Sequence, residues 1–386
     1  MGTVTINQKG FQRIHSGHPW VFRSDILRTE DAQAGDVVVL KSQKGQFLGQ
    51  AFFNPKSQIS IRLISRGKEP INRVFLKKRV EEAVSRRQNY LKDRDAARLI
   101  FGESDLLPSV ILDQYGKILV FQTLSAGADR FRDDLISIFE ELFSPEAIIE
   151  RNEPHVRDLE GLPRQKGIVR GGLPKEIWTR QGPYNVWVDP LEGQKTGLFL
   201  DQADNHLAAA RHARGRVLDL FCYQGGFAIP VAAASEEVVA VDSSAPALAI
   251  LKENARQNKI DNILAVEKNG FDFLRECQES GERFETIIID PPPFVRDRKN
   301  MTGALRGYKE LNLRAMKILP KNGVLITCSC SQNFTPELFE QTLVEAARDT
   351  HREVQVLERR SAASDHPVLL TFPESNYLQC WIVRIL

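Results

Sequence analysis

Beyond about residue 180, short apolar runs rich in β-branched residues alternate with longer amphipathic stretches. That alternation restricts the fold more than any other feature of the chain. The runs at 217–221, 238–242, 263–266, 286–290 and 323–327 read as strands. The stretches at about 226–234, 246–258, 271–277 and 303–319 read as helices between them. Strands and helices in strict alternation form a parallel sheet covered on both faces, so an α/β, Rossmann-like domain is predicted over 179–386. A helix over 335–350 and strands near 354–357 and 378–385 complete the pattern.

The first 68 residues read differently. Val37–Leu40 follows a Gly-Asp turn, and 46–53 and 58–64 are broken by Asn54-Pro55, so short punctuated strands predict a small β-barrel over 1–68. This segment carries ten Lys or Arg against four acids, a balance of +6 on a chain whose net charge is +2. A basic end suits a polyanionic partner, with Lys9, Arg13 and Arg23 as candidate contacts. A solvated basic face with no partner is the competing reading. Residues 72–99 are expected to be helical, with Lys77, Lys78, Arg79, Arg86 and Arg87 either solvated or touching phosphates. Strand-turn-strand patterns over 110–121, a helix over 130–143 and a strand at 147–150 make 70–178 a small α+β domain.

A chain of 386 residues needs more than one core. Its 42% hydrophobic and 26% charged residues exclude a disordered chain. No apolar run approaches the roughly 18 residues that would span a bilayer. The opening residues lack the layout of a signal peptide, so a cytoplasmic location without a membrane partner is expected. Five cysteines (Cys222, Cys277, Cys328, Cys330, Cys380) imply free thiols, and none stands in a metal-ligand pattern.

Ligands of open α/β sheets sit beyond the carboxyl ends of the strands. Three predicted strands carry an acid at or near that end: Asp219, Asp242 and Asp290. The first is followed by Phe221-Cys222-Tyr223-Gln224-Gly225-Gly226, whose glycines would let backbone amides approach a ligand. Asp242, followed by Ser243, is placed to accept ribose hydroxyls. A nicotinamide dehydrogenase would share this layout, but G-x-G-x-x-G is missing and no Lys, Tyr or His acid is well placed. Asp290-Pro291-Pro292-Pro293-Phe294 favours a methyltransferase, because prolines stiffen the loop and leave carbonyls free to grip a base amine.

Taken together, 9–14 and 18–22 resemble the opening of a PUA domain, a small barrel that binds structured RNA. The whole chain resembles the PUA-containing class I ribosomal RNA 5-methylcytosine methyltransferases. The resemblance is carried by Gly102-Glu103-Ser104-Asp105, by Glu192 to Gly197 with Asp201-Gln202, and by Asp219 to Tyr223. Asp290-Pro291-Pro292, Gly307-Tyr308-Lys309, Ser329-Cys330-Ser331 and Asp365-His366-Pro367 add to it. It implies a PUA barrel, a central α+β domain and a catalytic domain whose sheet ends in a late strand pair. It implies methyl transfer from S-adenosyl-L-methionine to carbon 5 of a cytosine in large-subunit ribosomal RNA, and related proteins suggest a homodimer. Asp219, Phe221, Cys222, Gly225 and Gly226 would line the methionine end. Asp242 and Ser243 would hold the ribose, and Asp290 and Pro291 would face the transfer point. Asn269 stands where the family carries an acid for the adenine amine, and its amide oxygen is expected to accept that bond.

Carbon 5 of cytosine is a poor nucleophile until a thiolate adds to carbon 6, so a cysteine must stand near the methyl donor. The Ser-Cys-Ser of the family falls on Cys330, with Cys328 expected to pack in the core and Asp290 to stabilise charge on the ring. Lys195, Tyr308 and Lys309 are further candidates for substrate or cofactor contact. His366 is expected in a loop at the rim of the site. Two rivals stay open: a guanine-directed enzyme on the same fold, and a non-catalytic RNA-binding protein.

Overall fold

The apolar runs beyond residue 180 do form one seven-stranded sheet, in the order β16-β15-β14-β17-β18-β20-β19. Its strands are β14 (Arg216–Leu220), β15 (Glu237–Asp242), β16 (Ile263–Glu267), β17 (Thr286–Ile289), β18 (Val324–Ser329), β19 (Val354–Arg360) and β20 (Gln379–Ile385). The first five run parallel, and β20 is antiparallel to both neighbours. The helices are α6 (Ala203–His212), α7 (Ala228–Ala232), α8 (Ala245–Gln257), α9 (Gly270–Ser280), α10 (Met301–Ile318) and α11 (Pro336–Asp349). Alternate residues of the central strands feed two separate layers. Leu218, Leu220, Ile287 and Ile289 pack with Leu274, Leu311 and Met316, whereas Val217, Ile288 and Ile326 pack with Ala208, Val231 and Leu251. Burial on both faces explains why these strands read as continuous apolar runs. Helix starts follow the local chemistry: Ser244 caps α8 and Thr335 caps α11, each with a proline in the first turn.

The computed structural model describes residues 1–294, 301–331 and 334–386. The chain divides into two units: Met1–Arg180 with Val188–Leu198 and Asp365–Ser375, and Gln181–Trp187 with Phe199–Ser364 and Asn376–Leu386. The three segments expected from sequence therefore group differently. The barrel and central regions share one unit, and the Asp365–Ser375 excursion returns to it from the far end of the chain. Among the described residues no helix is long and apolar enough to cross a membrane.

In the first unit, β1 (Thr3–Ile6), β2 (Trp20–Val21), β3 (Ile26–Glu30), β4 (Val37–Ser42), β5 (Phe47–Phe53) and β6 (Ile61–Ser65) form a six-stranded sheet. Helix α1 (Gln8–His15) adds Ile14 to its core beside Val4, Val38 and Phe53. Helices α2 (Arg73–Ser85), α3 (Ala126–Arg130), α4 (Arg132–Phe143) and α5 (Val156–Glu160) accompany a second sheet. Its strands are β7 (Ala96–Phe101), β8 (Val110–Tyr115), β9 (Ile118–Thr123), β10 (Ala147–Asn152) and β11 (Gln165–Gly171). Strands β12 (Trp178–Gln181) and β13 (Tyr184–Trp187) lie where the chain passes between units.

The helix expected over 72–99 stops at Ser85, and 96–101 is a strand. Ala96, Ala97, Leu99 and Ile100 are all buried there, so pairing with β8 overrides the helical spacing. Arg87 is no phosphate contact either. It is 2% exposed and forms a two-pronged ion pair with Asp105, at 2.6 Å on both prongs. The Gly102 to Asp105 motif is an anchor: Glu103 accepts from the Trp20 indole at 2.7 Å and from Arg62 at 3.0 Å.

Candidate cofactor and nucleophile site

Strand β14 pairs with β15 on one side and β17 on the other, so the chain reverses its order across the sheet between β14 and β17. The crevice at such a point is where an open α/β sheet takes its ligand. The loop after β14 is wound tightly enough that Phe221, Tyr223 and Gly225 all have positive φ, at 64°, 48° and 87°. Two non-glycine residues held in that region mark stored backbone strain of the kind found at functional sites. The loop is pinned by Tyr223, whose N–H donates to Asp242 Oδ2 at 2.9 Å, and by the Gly225 N–H to Cys222 carbonyl bond at 2.8 Å.

The two glycines have a packing reason besides the expected one. A Cβ at Gly225 would lie 2.1 Å from Leu251 Cδ1, and one at Gly226 would lie 2.6 Å from the His206 ring. His206, unmarked in the sequence, is buried beneath this loop against Phe227, and burial lowers its pKa to about 4.

Asp219 is 1% exposed, and neither carboxylate oxygen has a hydrogen-bond partner within bonding geometry. The nearest relief is the backbone amide of Ala228. Burial first, then the charges of Asp290 and Asp242, push its carboxyl well above the usual range. Asp242 is half-buried, and its Oδ1 accepts the Ser244 N–H at 2.9 Å. Ser243 beside it is exposed. Cys222 is buried, and desolvation raises its thiol far above the normal range, so it packs rather than reacts.

At the far side of the crevice, two loops meet. The Cys330 sulfur lies 3.9 Å from the carbonyl oxygen of Pro291, which follows Asp290. Cys330 is half-buried, whereas Cys328 is fully buried opposite Cys380 on β20, with its thiol raised by desolvation. Of the sulfurs on β18 and its following loop, Cys330 is therefore the one open to a ligand.

Several expected contacts fall elsewhere. Tyr308 is 0% exposed, and its hydroxyl bonds Ser329 and Ser331 at 3.0 Å each, so it meets no substrate directly. Lys309 pairs with Glu345 and Asp349 of α11 at 3.3 and 2.8 Å. Asn269 caps α9: its side-chain oxygen accepts from Phe271 N–H at 2.9 Å and Asp272 N–H at 3.4 Å, which uses the acceptor expected to meet an adenine amine.

His366, expected in a loop at the rim of the site, is buried within the first unit, bonded to Asp365 at 2.7 Å and packed on Phe101. Lys195 belongs to the first unit too, exposed and at φ 54°. On the six-stranded sheet's side, Lys9 and Arg23 are exposed, while Arg13 lies 3.4 Å from Asp25 and over the Phe22 ring.

Comparison with known proteins follows the same division. Residues 4–66 match the PUA-like domain family and residues 196–355 the methyltransferase small domain family. The ribosomal RNA large subunit methyltransferase I of Tolumonas auensis is 38% identical over 395 residues, covering 100% of both chains. The protein of the same name from Escherichia coli O139:H28 is 38% identical over 379 residues, 96% of each. A solved structure from Streptococcus mutans, described as a SAM-dependent methyltransferase, superposes with a TM-score of 0.86. It is 22% identical and covers 100% of both chains, a likeness of fold.

Proposed function

The chain belongs to the ribosomal RNA large subunit methyltransferase I family, and from that premise we propose that it methylates carbon 5 of a cytosine through a covalent bond from Cys330. The observation that carries this reading is the half-buried Cys330, whose sulfur lies 3.9 Å from Pro291 O in the loop that begins at Asp290. A thiol and a carboxyl group from adjacent strand ends are what addition to a pyrimidine requires.

S-adenosylmethionine supplies the methyl group on a positively charged sulfur. The buried acid cluster fits such a ligand: Asp219 has two oxygens without partners, and the Asp242 and Asp290 charges press on it. A cation relieves that repulsion. Asp219 and the Phe221 to Gly226 loop would hold the methionine end, and the amide-pinned carboxylate of Asp242 the ribose.

On the base, the Cys330 thiol would give up its proton to water and its sulfur would bond carbon 6. Asp290 would accept from the exocyclic amine and, by carrying a proton to ring nitrogen 3, stabilise the charge building on the ring. Carbon 5 would then take the methyl group, leaving S-adenosylhomocysteine; its proton would pass to water, and the carbon–sulfur bond would break to restore the ring double bond and release the Cys330 thiolate. Bases are reached by such enzymes only when unstacked. Lys9 and Arg23 are suited to hold the RNA backbone meanwhile, in a salt-sensitive way. Incubating deproteinised large-subunit ribosomal RNA with labelled methyl donor, then digesting to nucleosides, tests the reading. The label is expected in 5-methylcytidine, and label in a guanosine product would overturn it.

The acid cluster makes a second expectation. Asp219→Asn should weaken S-adenosylmethionine binding by about ten- to a hundredfold, because a charge-assisted contact is lost. It should also change the unliganded protein. A carboxyl whose native pKa is raised contributes its full stability below about pH 4 and loses it as pH climbs towards that pKa. Wild type should therefore lose thermal midpoint more steeply than the variant as pH rises above about 4. Calorimetric titration and melts without ligand read both effects; unchanged affinity would remove Asp219 from the site.

A further inference from the structure

The sequence resemblance marks Gly307-Tyr308-Lys309 without saying what it does, and the structure buries its central residue. The Tyr308 ring is stacked on Phe334 at 4.6 Å and 13°, and lies 4.8 Å from Phe294. Phe294 lies four residues beyond Asp290, and Phe334 is tied by its N–H to the Ser331 carbonyl at 2.9 Å. Gly307 leaves room for this arrangement, since a Cβ there would approach the Phe294 ring to 3.3 Å. The hydroxyl bonds both serines that flank Cys330, at 3.0 Å each. Helix α10 fixes the residue from behind, with Asn312 donating to the Tyr308 carbonyl at 2.8 Å.

We propose that Tyr308 is a positioning residue: its hydroxyl holds Ser329 and Ser331, and its ring holds Phe294, so that Cys330 and the Asp290 loop keep one mutual arrangement. This rests on the reading of Cys330 as the nucleophile. The tyrosine touches no reacting atom. It sets where the sulfur stands when the base arrives, which is the kind of placement on which covalent attack depends.

Tyr308→Phe keeps both ring contacts and removes both hydrogen bonds. The single-turnover methylation rate should fall on the order of tenfold or more, while cofactor and RNA affinities stay within about twofold. Ser329→Ala with Ser331→Ala should show a similar loss, and adding Tyr308→Phe to that pair should cost almost nothing more. A wild-type rate for Tyr308→Phe, or losses that multiply in the triple variant, would overturn the proposal. Should Tyr308→Phe fail to fold, the serine pair carries the test, and its wild-type rate would be equally fatal. Cys330→Ala separates the two levels. If it is inactive and Tyr308→Phe is unaffected, only the positioning role falls. If it stays active, the covalent reading falls and this proposal with it.

Discussion

Cys330→Ala is expected to abolish methyl transfer to cytosine, a loss on the order of a thousandfold or more, with little change in stability. The sulfur is the only group in the proposed reaction that bonds the base, so no neighbouring side chain substitutes for it. Because Cys330 is half-buried at a strand end, its truncation opens no cavity in the core. Cys328→Ala gives the opposite pattern. That thiol is sealed among Ile326, Cys380 and Ile382, so removing it should cost about 1 kcal/mol or less of stability and leave the rate nearly unchanged. The pair is read by label incorporation into deproteinised ribosomal RNA beside thermal melts of the same preparations. RNA containing 5-fluorocytosine should also trap wild type as a stable adduct and leave Cys330→Ala free. Full activity in Cys330→Ala would end the cytosine reading and favour a guanine-directed enzyme, which needs no thiol.

What could be read from sequence was whatever is local. Four of the five parallel strands announce themselves because each is buried on both faces, so Val217 to Leu220 is apolar except for the buried acid Asp219, while β16 at the sheet edge leaves Leu264 53% exposed. The three acids could be picked out because a strand end is a position along the chain. What needed coordinates was partnership. Nothing in the sequence near Asn269 says that its oxygen is taken by Phe271 and Asp272. Tyr308 reads equally well as a substrate contact until the serines 21 and 23 residues away are seen to close on it. His366 reads as a rim residue until Asp365 is seen to accept the Arg98 N–H across 267 residues of sequence. Helix α6 escaped notice because its apolar face is mostly alanine, yet it brings His206 under the loop after β14.

The same limit governs the motif at 102–105, where resemblance and physics lead to different expectations. Asp105→Ala should destabilise the first unit by about 3–5 kcal/mol and leave the chemistry of the folded enzyme intact. Asp105 is 0% exposed and accepts four hydrogen bonds. Two come from Arg87 at 2.6 Å, one from Arg86 at 3.0 Å and one from the Phe101 N–H at 2.7 Å. Its loss strands a buried guanidinium whose remaining partners are the uncharged carbonyls of Ala83, Arg98 and Asp365. Removing one partner of a buried pair costs more than removing both, because the surviving charge stays desolvated. Asp105→Leu with Arg87→Met should therefore recover much of the stability that Asp105→Ala loses. Trp20, whose indole donates to the neighbouring Glu103, places a fluorescent reporter in the same network for urea titrations. A loss below about 1 kcal/mol would show that the pair is solvated in solution and that the motif serves something other than anchoring.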